Sequence, residues 1–352
     1  MKTLKLLQPR ERERERERES NRQYLWDNLK FFLILSVVVG HFIDYYTDQS
    51  NVFCSIFLFI YTFHMPLFLF ISGLFHRNEN IIQKSVFYFS IGFLTKILLT
   101  ITPALFGAKA PTFELLSDSF IPWFMFALGG CNILAYILRE QNKRFVLLAF
   151  IVLAMFTGYD QSIGDYLYLS RFTVFFPFYL LGTMMDQTQI LRFKAQHRFC
   201  AIPAALILLV WGCLCFIKLD SLYIFRGLFT GRNPFYDGLP LPGPIARLFC
   251  YGITFLTGAS LVLVTPNIRL PFISSAGTQT LNVFFWHYVP YYILSAPLAT
   301  LFSLGRLGKI SVLLCAVAIT AFLSLPVFSF PLKQIKAAVY EWDSKKNQKT
   351  AV

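Results

Sequence analysis

The stretch LKFFLILSVVVGHFIDYYT, residues 29–47, decides how the rest of this chain is read. It is long enough to cross the hydrocarbon core of a bilayer, which takes roughly 17–25 predominantly apolar residues. It is too long, and with His41 and Asp44 too polar, to be the apolar core of a cleavable signal peptide. The charged tract before it, which runs to about residue 22, is therefore expected to precede an anchor that stays in place.

Working outward, nine further apolar segments follow at about 52–75, 85–105, 120–138, 145–158, 172–186, 199–217, 245–264, 280–302 and 310–330. Hydrophobic residues make up 56% of the 352 and charged residues 14%, where a soluble domain carries about a quarter charged. No hydrophilic stretch between the first and last segments is long enough for a soluble domain. The expected fold class is an all-α integral membrane protein, a bundle of about ten transmembrane helices. Residues 23–332 form its single domain, between a charged tail at 1–22 and a basic tail at 333–352. No internal repeat of the kind that marks many transporters is visible.

Basic residues punctuate alternate connections. Arg77 and Lys84 lie in 76–84, Arg139, Lys143 and Arg144 in 139–144, and Arg192, Lys194 and Arg198 in 187–198. The connection 48–51 has none, and 106–119 has Lys109 alone. By the positive-inside rule both termini are expected in the cytoplasm. The longest connection, 218–244, carries Lys218, Arg226 and Arg232 on the outer side and runs against the trend. The formal charge of +13 thus reads as topology and lipid head-group contact. No basic patch interleaved with exposed aromatics is present, so no nucleic-acid partner is expected. The seven cysteines form no CxxC and no Cys/His cluster, so neither a disulfide framework nor a metal site is expected. The strict Arg-Glu alternation from Arg10 to Glu19 is what a run of AG dinucleotides encodes, and is read as a slippage tract.

Polar side chains inside apolar segments are costly and therefore candidates for chemistry. Asp27, Lys30 and His41 fall near one helical face; Lys30 and His41 are eleven positions apart, about three turns and roughly 16 Å of rise. The next segment returns antiparallel and places His64 at a depth similar to that of His41. A sugar hydroxyl is a poor nucleophile until its proton is removed, and imidazole is the side chain suited to take it at neutral pH. Asp44, one turn beyond His41, is a candidate to orient its ring. Bland readings stand beside these. His64 precedes Met65-Pro66 and is placed to cap carbonyls freed by the proline. Lys30 is placed to snorkel, Asp27 to cap a helix, and Arg139, Lys143 and Arg144 to set topology. Lys96 either faces the bundle interior or marks a shifted span, His287 either lines the cavity or sits in an aromatic interface belt, and Arg171 is undecided.

The stretch Tyr24-Leu-Trp-Asp27-Asn28-Leu-Lys30, followed by Val37-Val-Val-Gly40-His41, resembles the opening signature of the acyltransferase-3 family: a basic residue, ten residues, then His. Phe63-His64-Met65-Pro66-Leu67-Phe68 with Ile71-Ser72-Gly73 resembles that family's second-span motif. Lys at the motif's start, Pro122-Trp123-Phe124, and Arg171 through Pro177-Phe-Tyr-Leu-Leu-Gly182 are similar to the fucose 4-O-acetylase-like branch. The resemblance implies a multi-pass protein of the bacterial inner membrane that O-acetylates a surface glycan or a lipid-linked sugar. It implies acetyl-CoA as donor from the cytoplasmic side, without a metal. His41 would be the catalytic base, with His64 and Asp27 in the catalytic set. Lys30, Arg139, Lys143 and Arg144 would serve the donor. Two other classes remain open: a transporter or flippase for a glycan or lipid-linked sugar, whose buried polar groups line a path, and a non-enzymatic partner that has kept the fold.

Overall fold

The computed structural model describes residues 23–107, 113–117, 120–232 and 234–350, with side chains to residue 341. The Arg-Glu tract and Lys109 lie outside the described residues. Among those described, regular structure is helical throughout.

Helix α1 (Tyr24–Asp44) is followed by α2 (Asn51–Tyr61) and α3 (His64–Leu74), which form the second traverse with a break at Thr62-Phe63. Then come α4 (Ile81–Leu105), α5 (Trp123–Ile137), α6 (Lys143–Phe156), α7 (Leu169–Met184), α8 (Gln187–Gln196) and α9 (Ala201–Ile217). The chain continues with α10 (Gly243–Val264), α11 (Pro271–Ala276), α12 (Thr280–Trp286), α13 (Tyr288–Phe302), α14 (Arg306–Leu323) and α15 (Leu332–Thr350). Six helical segments, at 24–44, 51–74, 81–105, 198–217, 243–264 and 306–323, are long and apolar enough to cross a membrane. The chain is a multi-pass membrane protein. The other expected segments coincide with the shorter α5, α6, α7 and α12–α13.

The first two traverses are the centre of the bundle and α9 is its edge: 78% of the apolar window of α2–α3 is buried, against 17% for α9. The exposed Leu209, Val210 and Ile217 of α9 are the surface a bilayer covers. Ring contacts fix the antiparallel return. Trp26 meets Phe75 at 6.2 Å, at the end where α1 begins, and Tyr46 meets Phe53 at 6.2 Å where α1 stops.

The most extensive helix pairing among the described residues is that of α3 on α7. A Cβ added at Gly73 would lie 1.9 Å from the Tyr179 carbonyl oxygen, and one at Gly182 2.2 Å from that of Phe70. Neither backbone atom can give way, so the crossing tolerates only hydrogen on both sides. The start of α1 is tied down by polar bonds instead. Asn28 donates to the carbonyls of Pro266 (2.9 Å) and Ile268 (3.0 Å) and accepts from Ser274 Oγ (2.6 Å). Lys96, buried in α4, donates to the carbonyls of Glu114 (2.6 Å) and Ser117 (3.0 Å). It lies over the rings of Phe126 and Tyr168, facing the interior, one of the two readings the sequence left open.

Gly73→Ala and Gly182→Ala are each expected to destabilise the folded protein by about 2 kcal/mol or more, read as a lower melting temperature in detergent micelles. Gly252→Ala, with nothing within 4 Å of the added Cβ, should leave it unchanged. Unaltered melting of both crossing variants would refute the close approach.

Candidate active site

At the end of the bundle where α1 stops, the helices part around a cavity of about 370 Å³. The break between α2 and α3 brings His64 to it. There the ring Nδ1 lies 2.9 Å from the Ile60 carbonyl, taking the place of a helix hydrogen bond. That carbonyl can only accept, so Nδ1 carries the proton and Nε2 keeps its lone pair. His41, on the last turn of α1, lines the same cavity. The expected convergence of His41 and His64 is thus what the helices produce. Tyr61 and Trp123 add ring surface, and Arg171, Arg226 and Arg232 add three guanidinium groups.

The arginines come from far along the chain, and each is held. Arg171 is buried on α7, 3.7 Å from Asp165 and with its guanidinium 4.8 Å from the Trp123 ring centre. Arg226 forms an ion pair with Asp44 and covers Phe57 at 4.3 Å. Asp44 was expected as an orienting group for His41; its carboxylate is instead engaged by Arg226, whose donor geometry matches it. The irregular connection 218–244 carries Arg226 on a helical turn, Arg226–Phe229. Fully buried Arg247 pins that turn by donating to the carbonyls of Leu228 (2.8 Å) and Arg232 (3.1 Å).

The remaining site candidates sit at the opposite end. Asp27 and Lys30 pair at 3.0 Å on the first turns of α1; fourteen residues of helix separate Asp27 from His41, about 21 Å. The structure therefore does not bring Asp27 to the histidines. Arg139 and Lys143 line a second, polar cavity of about 440 Å³ with Gly73, His76, Arg77 and Thr183. Arg144 is exposed beside it and is not part of its lining. Lys143 Nζ donates to the Thr183 carbonyl at 3.2 Å, and Arg139 pairs with Glu140 at 3.1 Å. No group of three or more His, Cys, Asp or Glu side chains able to hold a metal is found among the described residues.

His76, which by sequence is only a residue of the connection 76–84, lines this second cavity. Its Nε2 donates to Asn78 Oδ1 at 3.2 Å, and its Nδ1 accepts from the Tyr179 hydroxyl at 2.9 Å. Burial holds its pKa below the ordinary imidazole value. The other histidine that the site draws in is His287, from the junction of α12 and α13. Its ring centre is 5.3 Å from that of His41. Its only sequence signal was an imidazole inside an apolar run.

Both cavities lie on the same two helices. His64 is at one end of α3 and Gly73 near the other; Arg171 is at one end of α7 and Thr183 near the other. A polar, cationic mouth and a histidine-lined chamber are thus about 14 Å apart along α3.

The comparisons agree on the class. Residues 23–329 match the model of an acyltransferase domain. The chain belongs to this acyltransferase-3 family of membrane proteins. It is also similar to the nodulation protein NolL of Sinorhizobium fredii (strain NBRC 101917 / NGR234), 28% identical over 237 residues. That alignment takes in 58% of this chain and 62% of the relative, so the chain spans under two thirds of the relative's length. No solved structure matches.

A histidine with a lowered folded-state pKa contributes stability that is complete above its unfolded value, near 6.5, and falls as the pH drops through it. Wild type should therefore lose more thermal stability between pH 7.5 and pH 5 than His76→Gln does. Parallel losses would remove His76 as a source.

Proposed function

We propose that this protein is a membrane O-acyltransferase that moves an acetyl group from acetyl-CoA to a sugar hydroxyl. The acceptor is a surface glycan or its lipid-linked precursor, and the setting is the bacterial inner membrane with both termini cytoplasmic. The observation that carries this reading is the pairing of two cavities along α3 and α7 in a chain of the acyltransferase-3 family.

In this reading Arg77, Arg139 and Lys143 receive the phosphates of the donor, where guanidinium and ammonium groups bind oxyanions. Arg144 and Lys30 add to the positive field at that mouth, with Asp27 holding Lys30. The extended pantetheine arm then carries the thioester toward the far chamber. There the hydroxyl proton passes to His41, the oxygen attacks the thioester carbonyl, and the carbon–sulfur bond breaks. The imidazolium returns the proton to the departing thiolate. Arg171 is placed to balance negative charge that develops on the carbonyl oxygen. The aromatic walls suit the apolar face of a sugar ring. His64, with its tautomer fixed, presents a lone pair to a second hydroxyl. A transporter reading has only the buried polar groups in its favour, and a two-ended site does not require passage of the glycan.

The test uses purified protein in lipid vesicles with acetyl-CoA and a panel of glycosides, following ester formation by NMR and thiol release by colour. His41→Ala is expected to lower ester formation at least about 100-fold while the melting temperature is kept. Undiminished transfer by this variant would remove His41 as the base. Glycan movement across the vesicle with no ester formed would establish the transporter instead. In the same assay Arg139→Ala and Lys143→Ala should each raise the KM for acetyl-CoA about 10-fold with little change in kcat. An unchanged KM in both would place the donor elsewhere.

A further inference from the structure

His287 is fully buried and is not part of the cavity lining; it sits behind His41, which is. Its Nδ1 lies 2.8 Å from the Phe284 carbonyl and 3.0 Å from the Val283 carbonyl. Both are acceptors only, so Nδ1 must carry the ring's proton, and Nε2 is left as a pure acceptor. Among the described residues His287 Nε2 has no hydrogen-bond partner, and neither has the buried Nδ1 of His41. Two orphaned imidazole nitrogens on neighbouring rings are a costly coincidence, since an unmet buried polar atom forfeits its hydration. The ring centres are 5.3 Å apart with the planes 29° from parallel. Two imidazoles joined edge to edge by one N–H···N bond of about 3 Å have nearly that separation. With His287 held by its carbonyls, a rotation of the His41 ring that turns its Nδ1 toward His287 Nε2 would satisfy both atoms.

We infer that His287 is the positioning residue for His41: its Nε2 accepts the Nδ1 proton of His41, which leaves Nε2 of His41 as the basic nitrogen facing the cavity. The inference rests on the proposed role of His41 for its catalytic consequence. It supplies what Asp44, engaged by Arg226, does not: a group that fixes which nitrogen takes the hydroxyl proton. A neutral acceptor suits this place. A carboxylate behind His41 would bring an unpaired charge into the bundle interior, whereas an imidazole anchored to backbone carbonyls brings none. The carbonyls that anchor it belong to α12 and its C-terminal turn, and the Val283 carbonyl also accepts the backbone N–H of His287 at 3.0 Å. Removing the side chain thus leaves that carbonyl bonded.

The test compares His287→Gln, which keeps an acceptor oxygen, with His287→Leu, which removes it at similar bulk. Ester formation is followed as above, and histidine-selective 15N NMR of the full chain in micelles reads the His41 tautomer. The Gln variant is expected within about 10-fold of wild type and the Leu variant at least about 100-fold below it. The His41 Nδ1 resonance should be that of a protonated nitrogen in wild type and lose its hydrogen-bonded shift in His287→Leu. Equal rates for Leu and wild type, or an unchanged His41 spectrum in the Leu variant, would overturn the inference. If His41→Ala retains transfer, the catalytic reading fails, and the NMR arm still decides whether His287 positions His41.

Discussion

The close crossing of α3 on α7 is the contact on which the rest depends. Because Gly73 and Gly182 let the two backbones meet, one pair of helices lines both cavities. His64 and Arg171 stand at one end, Gly73 and Thr183 at the other. Within a bilayer no hydrophobic effect draws helices together, and close packing of small residues is what fixes their register. A side chain at the crossing would push the helices apart and change the distance between the two mouths.

Satisfaction of buried polar groups supplies the second constraint. A bundle immersed in lipid has little water for unmet donors, so each must find a partner within the protein. Asn28 ties the start of α1 to residues 266–274. Lys96 draws in the carbonyls of Glu114 and Ser117, and Arg247 holds the turn that carries Arg226 to Asp44. These bonds hold loops against the helix ends. The connection 218–244 is itself part of the site, since Arg226, Thr230 and Arg232 line the histidine cavity.

In the proposed function, the two cavities at opposite ends divide the chemical work. The cationic mouth suits phosphates, while the histidine chamber has aromatic walls and guanidinium groups beside an imidazole. The two lie about 14 Å apart along one helix. On that proposal a donor reaches the reacting centre from one face while an acceptor arrives from the other.

The sequence by itself determined the class of fold, because the length and apolarity of each segment are local properties that a bilayer reads one segment at a time. It also singled out His41, His64 and the basic connection that holds Arg139 and Lys143, side chains that line the two cavities. Tertiary structure alone decided the partners. Asp44 lies one turn from His41 in sequence, yet it pairs with Arg226, 182 positions away. His287, not Asp44 or Asp27, stands against the His41 ring. Asp27 shares a helix with His41 and is separated from it by the helix's own rise. Helical periodicity tells which residues share a face, but not which other helix that face meets. That choice is made by where small residues allow backbones to touch and where distant polar groups complete one another's hydrogen bonds, and neither is a local property of the chain.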